Sequence, residues 1–312
     1  MKHIFIVNPA AGKADSRERS LRMAEALRTR HGLDAACLLT KAPGHAVTLS
    51  RSIAAAGGAV RFYACGGDGT AHEVANGIAG FANAAMTVVP MGTGNDLLRN
   101  FGADAERFRD PENLWDGEAT PLDLIDCNGR LCLTIACSGV DARVARDVHR
   151  FGRLPLVGGK ASYAASLAAN FLFKGIANRW TVYLDGEALP ERAFAVVAVC
   201  NGRYYGGGFR PVPEADMTDG VLNTLVVRQV SRARFLQFVG PYARGEYRSF
   251  PRFAACSTAS VIRIRSERSD VVTCLDGECF VSDDVTLRLS EKKLNFFAPA
   301  GSSPNATARK FV

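Results

Sequence analysis

The sequence predicts an α/β domain with a parallel sheet, followed by a mainly antiparallel β domain. Its length of 312 residues is about twice that of a typical domain. Over roughly the first 120 residues, apolar strand-like runs alternate with stretches of helical periodicity, as in parallel sheets. After that point, short apolar runs flank Asn-Gly and Asp-Gly pairs, which favour antiparallel hairpins. We therefore predict domains at 1–120 and 121–298, with 299–312 as a disordered tail.

The first domain is predicted to contain strands that are each followed by a helix. Each strand is a short apolar run that a glycine, a proline or a polar residue ends, and each helix has apolar residues on one face. In chain order, the predicted strands are 2–8, 35–40, 60–65 and 85–90, and the predicted helices are 16–31, 43–56, 71–78 and one that begins at residue 95.

The second domain is predicted to be built from hairpins. Asn128-Gly129, Asp185-Gly186 and Asp276-Gly277 are two-residue turn signals between apolar runs. The predicted strands are 122–127, 131–136, 179–184, 193–200, 221–228, 260–265, 271–275, 285–289 and 294–297, and the predicted helices are 141–151 and 160–175.

Composition restricts the class of protein and of partner. The chain is 47% apolar and 22% charged, which excludes disorder, collagen and coiled coil as descriptions of the whole chain. Its net charge of +7 favours an anionic partner, such as a nucleotide or a phospholipid surface. Because no block of consecutive basic residues occurs, we expect no nucleic-acid partner.

The cysteines indicate a reducing compartment. Nine cysteines are scattered with no CxxC pair, and none of the five histidines stands at ligand spacing from a cysteine. We therefore expect reduced, buried thiols in a cytoplasmic protein, and neither disulfides nor a zinc site. No apolar run reaches the roughly 18 residues that a membrane span needs, and the N-terminal run is too short for a signal peptide.

Two glycine-rich loops carry the strongest functional signal. Gly66, Gly67 and Gly69 follow a predicted strand and precede a helix, so their amides could surround a phosphate group, although tight turns alone also use glycine. Asp68 stands among them, which is reasonable if Mg²⁺ bridges its carboxylate and the phosphate. A second loop, 92–96, closes the next strand. The two loops predict a ligand crevice at the carboxyl ends of neighbouring strands.

These motifs match neither the P-loop nor the dinucleotide fingerprint. Together they resemble the diacylglycerol kinase catalytic family, which includes sphingosine and ceramide kinases and soluble bacterial lipid kinases. The resemblance covers about 2–298. The segments that carry it are 8–13, 66–70, 90–96, 201–202 with 206–208, 213–222 and 275–278.

The resemblance implies a fold and an activity. The fold is a nucleotide-binding α/β domain like those of phosphofructokinase and NAD kinase, then a β-sandwich domain, with the active site between them. The activity is ATP-dependent phosphorylation of a lipid hydroxyl, with a diacylglycerol-like acceptor expected and the choice among lipids left open. The oligomeric state also stays open.

The resemblance also assigns roles to residues. Asp276 is expected to accept the proton, with Glu278 beside it, and Asp68 is expected to act with them. Asp216, Asp219 and the backbone of Val221 are expected to hold Mg²⁺. The residues expected to contact ATP are Asn8, Thr40, Gly66, Gly67, Asp68, Gly69, Thr70, Ala71, His72, Thr93, Asn95 and Asp96.

Some features complicate these assignments. The letters Leu-Asp-Gly-Glu occur at both 184–187 and 275–278, and either could be a plain hairpin turn, so only the order of the family motifs favours Asp276. Thr134 and Asn223 stand where the family commonly has asparagine and aspartate. The second departure removes a negative charge near the expected metal segment.

A membrane contact is the weaker of two interpretations of one helix. Arg143, Arg146, Arg150 and Arg153 share a helical face that could lie on anionic lipid, but a solvated face over a packed helix is favoured. The apolar stretch 163–176 is expected to be core or a wall of an acyl-chain pocket.

Two other functions remain as alternatives. An NAD kinase-like enzyme would share the Gly-Gly-Asp-Gly-Thr loop, but the Asn-Pro start, the 92–96 loop and the late Asp-Gly-Glu argue against it. A non-catalytic nucleotide- or lipid-binding regulator is disfavoured because Asp68, Asp276 and Glu278 occur together.

Overall fold

A computed structural model describes residues 1–12, 16–92, 94–151, 175–268 and 270–304. The chain forms two compact units. The first comprises Met1–Leu124, Met217–Asp219 and the residues from Ser290 onward, and the second comprises Ile125–Asp216 and Gly220–Leu289. Whereas the sequence predicts one uninterrupted second domain over 121–298, the chain returns to the first unit twice.

The secondary structure follows the chain in this order. The strands are β1 Lys2–Val7, β2 Asp34–Leu39, β3 Val60–Gly66, β4 Ala84–Pro90, β5 Ala119–Leu122, β6 Ile125–Cys127, β7 Arg130–Cys132, β8 Ile135–Gly139, β9 Asn178–Arg179, β10 Thr181–Leu184, β11 Glu187–Ala188, β12 Ala193–Cys200, β13 Asn223–Arg228, β14 Ala254–Thr258, β15 Val261–Arg265, β16 Val271–Leu275, β17 Glu278–Ser282, β18 Asp284–Leu289 and β19 Leu294–Phe297. The helices are α1 Ser16–His31, α2 His45–Ala55, α3 Asp68–Ile78, α4 Asp96–Arg99, α5 Val140–Phe151 and α6 Arg232–Ala243, with 3-10 helices at Gly102–Arg109, Pro111–Asn113 and Tyr247–Ser249.

The first unit is built on a sheet with the strand order β2-β1-β3-β4-β19-β5. The strands β1 to β4 and β19 pair in parallel, and only β19 and β5 are antiparallel. Continuous buried runs in β1, β3 and β4 are typical of parallel strands covered on both faces. The register places Val7 beside Cys65 and Gly66 beside Pro90, so these three strands end at the same edge.

The second unit is a sandwich of two antiparallel sheets, ordered β11-β10-β15-β18-β6-β7 and β14-β13-β12-β8-β16-β17, with β9 pairing to β12. One core cluster joins Ile262 and Leu287 of the first of these sheets to Phe194 and Leu275 of the other. A second cluster covers the far side of the larger sheet, where Phe238 of α6 packs. The predicted fold class, a parallel α/β domain followed by an antiparallel β-sandwich, is confirmed.

The predicted hairpin turns are also confirmed. Asn128, Asp185 and Asp276 have φ near +50°, and the glycine after each has φ between +82° and +101°. Two successive left-handed residues define the turn type that Asn-Gly and Asp-Gly favour, because it matches the twist of the strands.

The structure contains elements that the sequence analysis missed. Helix α6 begins after Ser231, whose side chain accepts a hydrogen bond from the amide of Arg234. That cap, followed by Phe235, Phe238 and Tyr242 on one face, was the available signal. Strands β14 and β17 were missed as well, and most of the helix predicted at 160–175 lies outside the described residues.

Two observations bear on compartment and membrane. All nine cysteines are free thiols, and six of them are buried. Among the helices in the described ranges, none has both the length and the apolar character needed to cross a bilayer.

Candidate active site

Three loops of the first unit interlock where β1, β3 and β4 end. The amides of Met91 and Gly92 both donate to the Gly66 carbonyl, at 3.0 and 3.1 Å. The amide of Asp68 donates to the Gly94 carbonyl at 3.2 Å. In the loop after β1, the amide of Asn8 donates to the Cys65 carbonyl of β3 at 3.1 Å. The loops after the three strands therefore form one hydrogen-bonded surface.

Glycine is required here because the two glycine loops approach each other too closely for side chains. A Cβ added to Gly92 would lie 2.8 Å from the Gly67 Cα, and one added to Gly94 would lie 2.7 Å from Asp68 Oδ2. The glycines thus allow one loop to pack directly on the backbone of the other.

Asp68 has a protein partner in this arrangement. Its Oδ1 accepts a hydrogen bond from the Asp96 amide at 2.7 Å. Asp68 is the first residue of α3, and Asp96 is the first residue of α4, so the carboxylate joins the starts of two helices. This contact gives a structural reason for a carboxylate among glycines, in addition to the predicted Mg²⁺ bridge.

Asn8 joins the first loop to the same helix. Its Oδ1 accepts from the Ala10 amide at 3.0 Å, and its Nδ2 lies 3.5 Å from Thr70 Oγ1. The Thr70 side chain covers Gly66, where an added Cβ would lie 2.2 Å from Oγ1. Asn8 and Thr70, which are both predicted to contact ATP, therefore lie together beside the glycine loop.

Two features of these loops fit a nucleotide. The first amides of a helix have no partner within the helix, and after Asp68 they are those of Gly69 and Thr70, which is the usual setting for a phosphate. Asn95 donates to the Gly92 carbonyl at 3.1 Å, but within the described part of the chain its buried Oδ1 accepts no hydrogen bond. A buried acceptor without a donor costs about 1–3 kcal/mol, which a ligand donor would offset.

The remaining predicted ATP contacts fall at different places. Thr40 follows β2 at the same edge, half-buried, with its amide bonded to the Val7 carbonyl. His72 is half-buried on α3. Ala71 is buried and its amide donates to the Gly67 carbonyl, so it faces the core of the unit. Thr93 lies outside the described residues.

In the second unit, Asp276 is held by three hydrogen bonds. Its Oδ2 accepts from the Leu133 amide at 2.7 Å. Its Oδ1 accepts from the Thr134 amide at 2.9 Å and from Thr134 Oγ1 at 2.8 Å. Thr134, which departs from the family's common asparagine, thus supplies a hydroxyl donor that orients the carboxylate.

Another segment of the family pattern, 201–202, lies close to Asp276 because it bonds to the residues that hold this carboxylate. Asn201 Nδ2 donates to the Leu133 carbonyl at 2.7 Å, and the amides of Asn201 and Gly202 donate to the Thr134 carbonyl at 2.9 and 2.8 Å. Asp276 is half-buried, whereas Glu278 is exposed at the start of β17. The tip of this hairpin is therefore accessible to a substrate.

The duplicate motif has different surroundings. Asp185 adopts the same turn, with φ of 49° as in Asp276, and its Oδ1 accepts from the Ser260 and Val261 amides at 2.8 Å. Asp185 is exposed. The two carboxylates thus share a local role in a hairpin, and among the contacts of the described residues only that of Asp276 includes a side-chain hydroxyl.

The predicted Mg²⁺ ligands are oxygen donors of the kind Mg²⁺ prefers. Asp216 and Val221 belong to the second unit, and the exposed Asp219 belongs to the first. Across the described ranges, no group of three or more His, Cys, Asp or Glu side chains is placed to hold a metal ion. Asn223, the departure noted in this segment, lines a cavity of about 550 Å³ in the second unit together with Glu214.

One buried network was missed by sequence reasoning. Tyr205, next to the glycines 206–208, donates its hydroxyl to Asp141 Oδ2 at 2.8 Å, and its oxygen lies 2.7 Å from that of Tyr242. Burial raises the pKa of Asp141 to about 6. The network anchors the glycine segment to α5 and α6.

The arginine face of α5 is partly engaged by protein. Arg143 is half-buried and donates to the Gly175 carbonyl at 2.8 Å, and burial lowers its pKa. The side chain of Arg150 and all of Arg153 lie outside the described residues. Arg143 therefore serves packing within the second unit.

Glycine loops at the carboxyl edge of a parallel sheet, followed by an antiparallel sandwich with an oriented carboxylate, are the arrangement expected of a nucleotide-dependent phosphotransferase. The comparisons with known proteins agree. Residues 2–127 match the model described as diacylglycerol kinase catalytic domain, and residues 134–298 match the YegS C-terminal NAD kinase beta sandwich-like domain. The chain belongs to the diacylglycerol kinase catalytic-domain family, which confirms the resemblance inferred from the motifs.

Individual relatives support the same assignment. The chain is 32% identical to "Probable lipid kinase YegS-like" of Pseudomonas aeruginosa PAO1 over 214 residues, 66% of this chain and 67% of that protein. It is 27% identical to "Diacylglycerol kinase" of Bacillus subtilis strain 168 over 187 residues, 59% of this chain and 60% of that one.

Solved structures share the fold. A diacylglycerol kinase crystal structure from Bacillus anthracis superimposes with a TM-score of 0.70 at 20% identity, covering 97% of this chain and 98% of that one. The yeast NADH kinase structure superimposes with a TM-score of 0.51 at 11% identity, covering 96% and 84%. These likenesses confirm the expected relation to the NAD kinase fold.

Proposed function

We propose that the protein is an ATP-dependent lipid kinase that transfers the γ-phosphoryl group to the hydroxyl of a diacylglycerol-like lipid. The observation that carries the proposal is the hydrogen bonding between the glycine loop at 66–70 and residues 92 and 94–96 of the next loop, where the first amides of α3 suit a phosphate chain. The name of the Bacillus subtilis relative supports the choice of diacylglycerol, and the name of the Pseudomonas aeruginosa relative supports a lipid acceptor in general.

The first unit would bind the nucleotide. The amides of Gly69 and Thr70 would donate to phosphate oxygens, and Asn95 Oδ1 would accept from a donor group of the ligand. Mg²⁺, when bound, neutralises charge on the phosphate oxygens, and Asp216, Asp219 and the Val221 carbonyl would hold it. Asp68 would keep the second loop in place by its bond to the Asp96 amide.

The second unit would activate the acceptor. A lipid hydroxyl is a weak nucleophile, and Asp276 would accept its proton as the oxygen bonds to the γ-phosphorus. The bond from that phosphorus to the β,γ-bridging oxygen would break at the same time, and ADP would leave. The bonds from Leu133 and Thr134 fix the carboxylate in one orientation, so no reorganisation is needed during the reaction. The exposed Glu278 would lie beside the incoming lipid headgroup.

We also propose that the enzyme acts from the cytoplasm, in peripheral contact with an anionic membrane surface. A net charge of +7 favours such a surface, and nine free thiols suit a reducing compartment. This contact would bring the active site to a substrate that resides in the bilayer.

A radiolabel transfer assay tests the proposal. The pure protein is incubated with γ-labelled ATP, Mg²⁺ and vesicles that contain diacylglycerol, monoacylglycerol, phosphatidylglycerol or a sphingoid base, with and without anionic lipid, and separately with NAD and NADH. We expect a labelled lipid, identified by mass. Label on NAD or NADH would support the NAD kinase alternative, and ATP binding without transfer to any acceptor would support a non-catalytic regulator.

The duplicate motif supplies a matched control for the base. Asp276→Asn should lower kcat about 10²–10⁴-fold because the amide cannot accept the proton. Asp185→Asn changes the same letter in the same turn and should leave kcat within about twofold, since that residue lies on another hairpin. Equal kcat values for the two variants would exclude Asp276 as the base.

A further inference from the structure

The N-terminus of α2 is capped by a residue of another helix. Its own cap position is Gly44, with φ of +81° and no side chain, and its first turn contains no acidic residue. The first amides of a helix need acceptors and favour a negative charge. Glu73 of α3 supplies both, because its Oε1 accepts from the Gly44 amide at 2.8 Å and its Oε2 accepts from the Ala46 amide at 3.0 Å.

Glu73 is also close in sequence to the glycine loop at 66–70. It follows Asp68, the first residue of α3, by five positions. The same short helix therefore begins within the glycine loop and carries the residue that caps α2. Because the carboxylate occupies the N-terminus of α2, the N-terminus of α3 is, of these two helices, the one that can take a phosphate group.

The segment between β2 and α2 is held at both ends. The amide of Thr40 donates to the Val7 carbonyl at 2.9 Å, and the amide of Gly44 donates to Glu73. Between them, the amide of Lys41 donates to His45 Nδ1 at 3.0 Å. Glu73 therefore ties one end of this segment to α3, while Thr40 ties the other end to β1.

We propose that Glu73 is a positioning residue for the nucleotide, because its bidentate contact with Gly44 and Ala46 fixes the segment from Thr40 to Ala46 against the helix that carries the phosphate loop. The inference rests on the proposed function, since it assigns Glu73 a part in binding ATP. It goes further by naming a residue outside the glycine loops that holds the segment 40–46 to α3.

Steady-state kinetics with two variants test the proposal. Glu73→Gln keeps the shape but faces one amide with an NH₂ group, and Glu73→Asp is too short to reach both amides. Each should raise the KM for ATP about five- to tenfold, which corresponds to the free energy lost with one helix cap. The kcat and the KM for the lipid should stay within about twofold. Glu25→Gln, on the exposed face of α1, is the control and should change none of them.

Hydrogen exchange and direct nucleotide binding complete the test. In both Glu73 variants the amides of residues 41–46 should exchange faster, while those of the β-sandwich stay unchanged. An unchanged KM for ATP, or equal losses in kcat and in the affinity for both substrates, would overturn the positioning role. ATP binding by the unaltered protein is measured first, without lipid. Its absence there, with Glu73 intact, would refute the proposed function, whereas binding that both Glu73 variants retain unchanged would refute only the positioning role.

Discussion

Asp141 is a half-buried carboxylate whose charged form the fold disfavours. Burial raises its pKa from 3.8 to about 6, opposed by the hydroxyl of Tyr205 and the amide of Ala142. Cys137, Tyr242 and Arg143 also face it. The folded protein thus holds this proton more tightly than the unfolded chain. The stabilisation is present in full below about pH 4 and is lost as the pH rises through about 6.

This residue gives a pH prediction for stability. Between pH 4 and pH 7 the free energy of unfolding should fall by about 2 kcal/mol from Asp141 alone. Asp141→Asn should remove that part of the slope, as urea denaturation at several pH values would measure. Tyr205→Phe, which removes the hydroxyl that favours the charged form, should make the slope steeper. Parallel slopes for all three proteins would contradict this account.

The two aspartates of the repeated motif show what a short sequence leaves undetermined. The two Leu-Asp-Gly-Glu segments form the same left-handed turn, as Asp-Gly predicts. Nothing in the four letters distinguishes them. The difference arises from Thr134, which is 142 positions from Asp276 in the chain and donates its hydroxyl to it.

Among the elements, the two glycine loops depend on close contact with each other. Gly94→Ala should push the Asp68 carboxylate away from the Asp96 amide, because the new methyl group would lie 2.7 Å from Oδ2. We expect nucleotide affinity to fall about tenfold and stability to fall by about 1–3 kcal/mol. Calorimetric titration with ADP and thermal unfolding measure the two effects.

A second glycine separates strain from the loss of the site. Gly129→Ala meets no atom within 4 Å, but it forces alanine to φ of +82° in the hairpin of the second unit. It should lower stability by about 1 kcal/mol and leave ADP affinity unchanged. If Gly94→Ala changed only stability, like this control, the loop contact would have no part in binding.

Elements were predictable where the signal is local. Periodic burial and glycine stops correctly predicted α1, β3 and β4 to within about two residues. The prediction that α3 begins at residue 71 was wrong, because the helix begins at Asp68 and the glycine loop is its first turn. Glycine is a poor helix former in isolation, so propensity alone places the start too late.

The whole molecule depends on the return of the chain to the first unit. Strand β19 lies between β4 and β5, and its buried Phe296 contacts the rings of Phe101 and Phe108 at 5.6 and 6.1 Å between centroids. Without β19, β4 would become an edge strand and this aromatic cluster would lose a member. The first unit is therefore not contained in the first 124 residues.

Truncation tests this dependence. A chain that ends after residue 289 lacks β19 and should lose the cooperative thermal unfolding of the first unit, along with nucleotide binding, because its sheet is opened between two strands. A chain that ends after residue 304 keeps the described contacts of β19 and is the control, with an unchanged melting temperature expected. Normal nucleotide binding by the shorter chain would show that β19 is dispensable.

Local patterns were enough to predict the change from parallel to antiparallel structure, the glycine loops, the turn types and, through the motifs, the family. Each of these depends on composition, periodicity or backbone preference within a few residues. The folded chain was needed to see that Asp68 holds Asp96, that Glu73 caps α2, that Thr134 orients Asp276 and that β19 completes the first sheet. These contacts join residues far apart in the chain, and their free energy exists only when packing brings the partners together, so no local pattern records them.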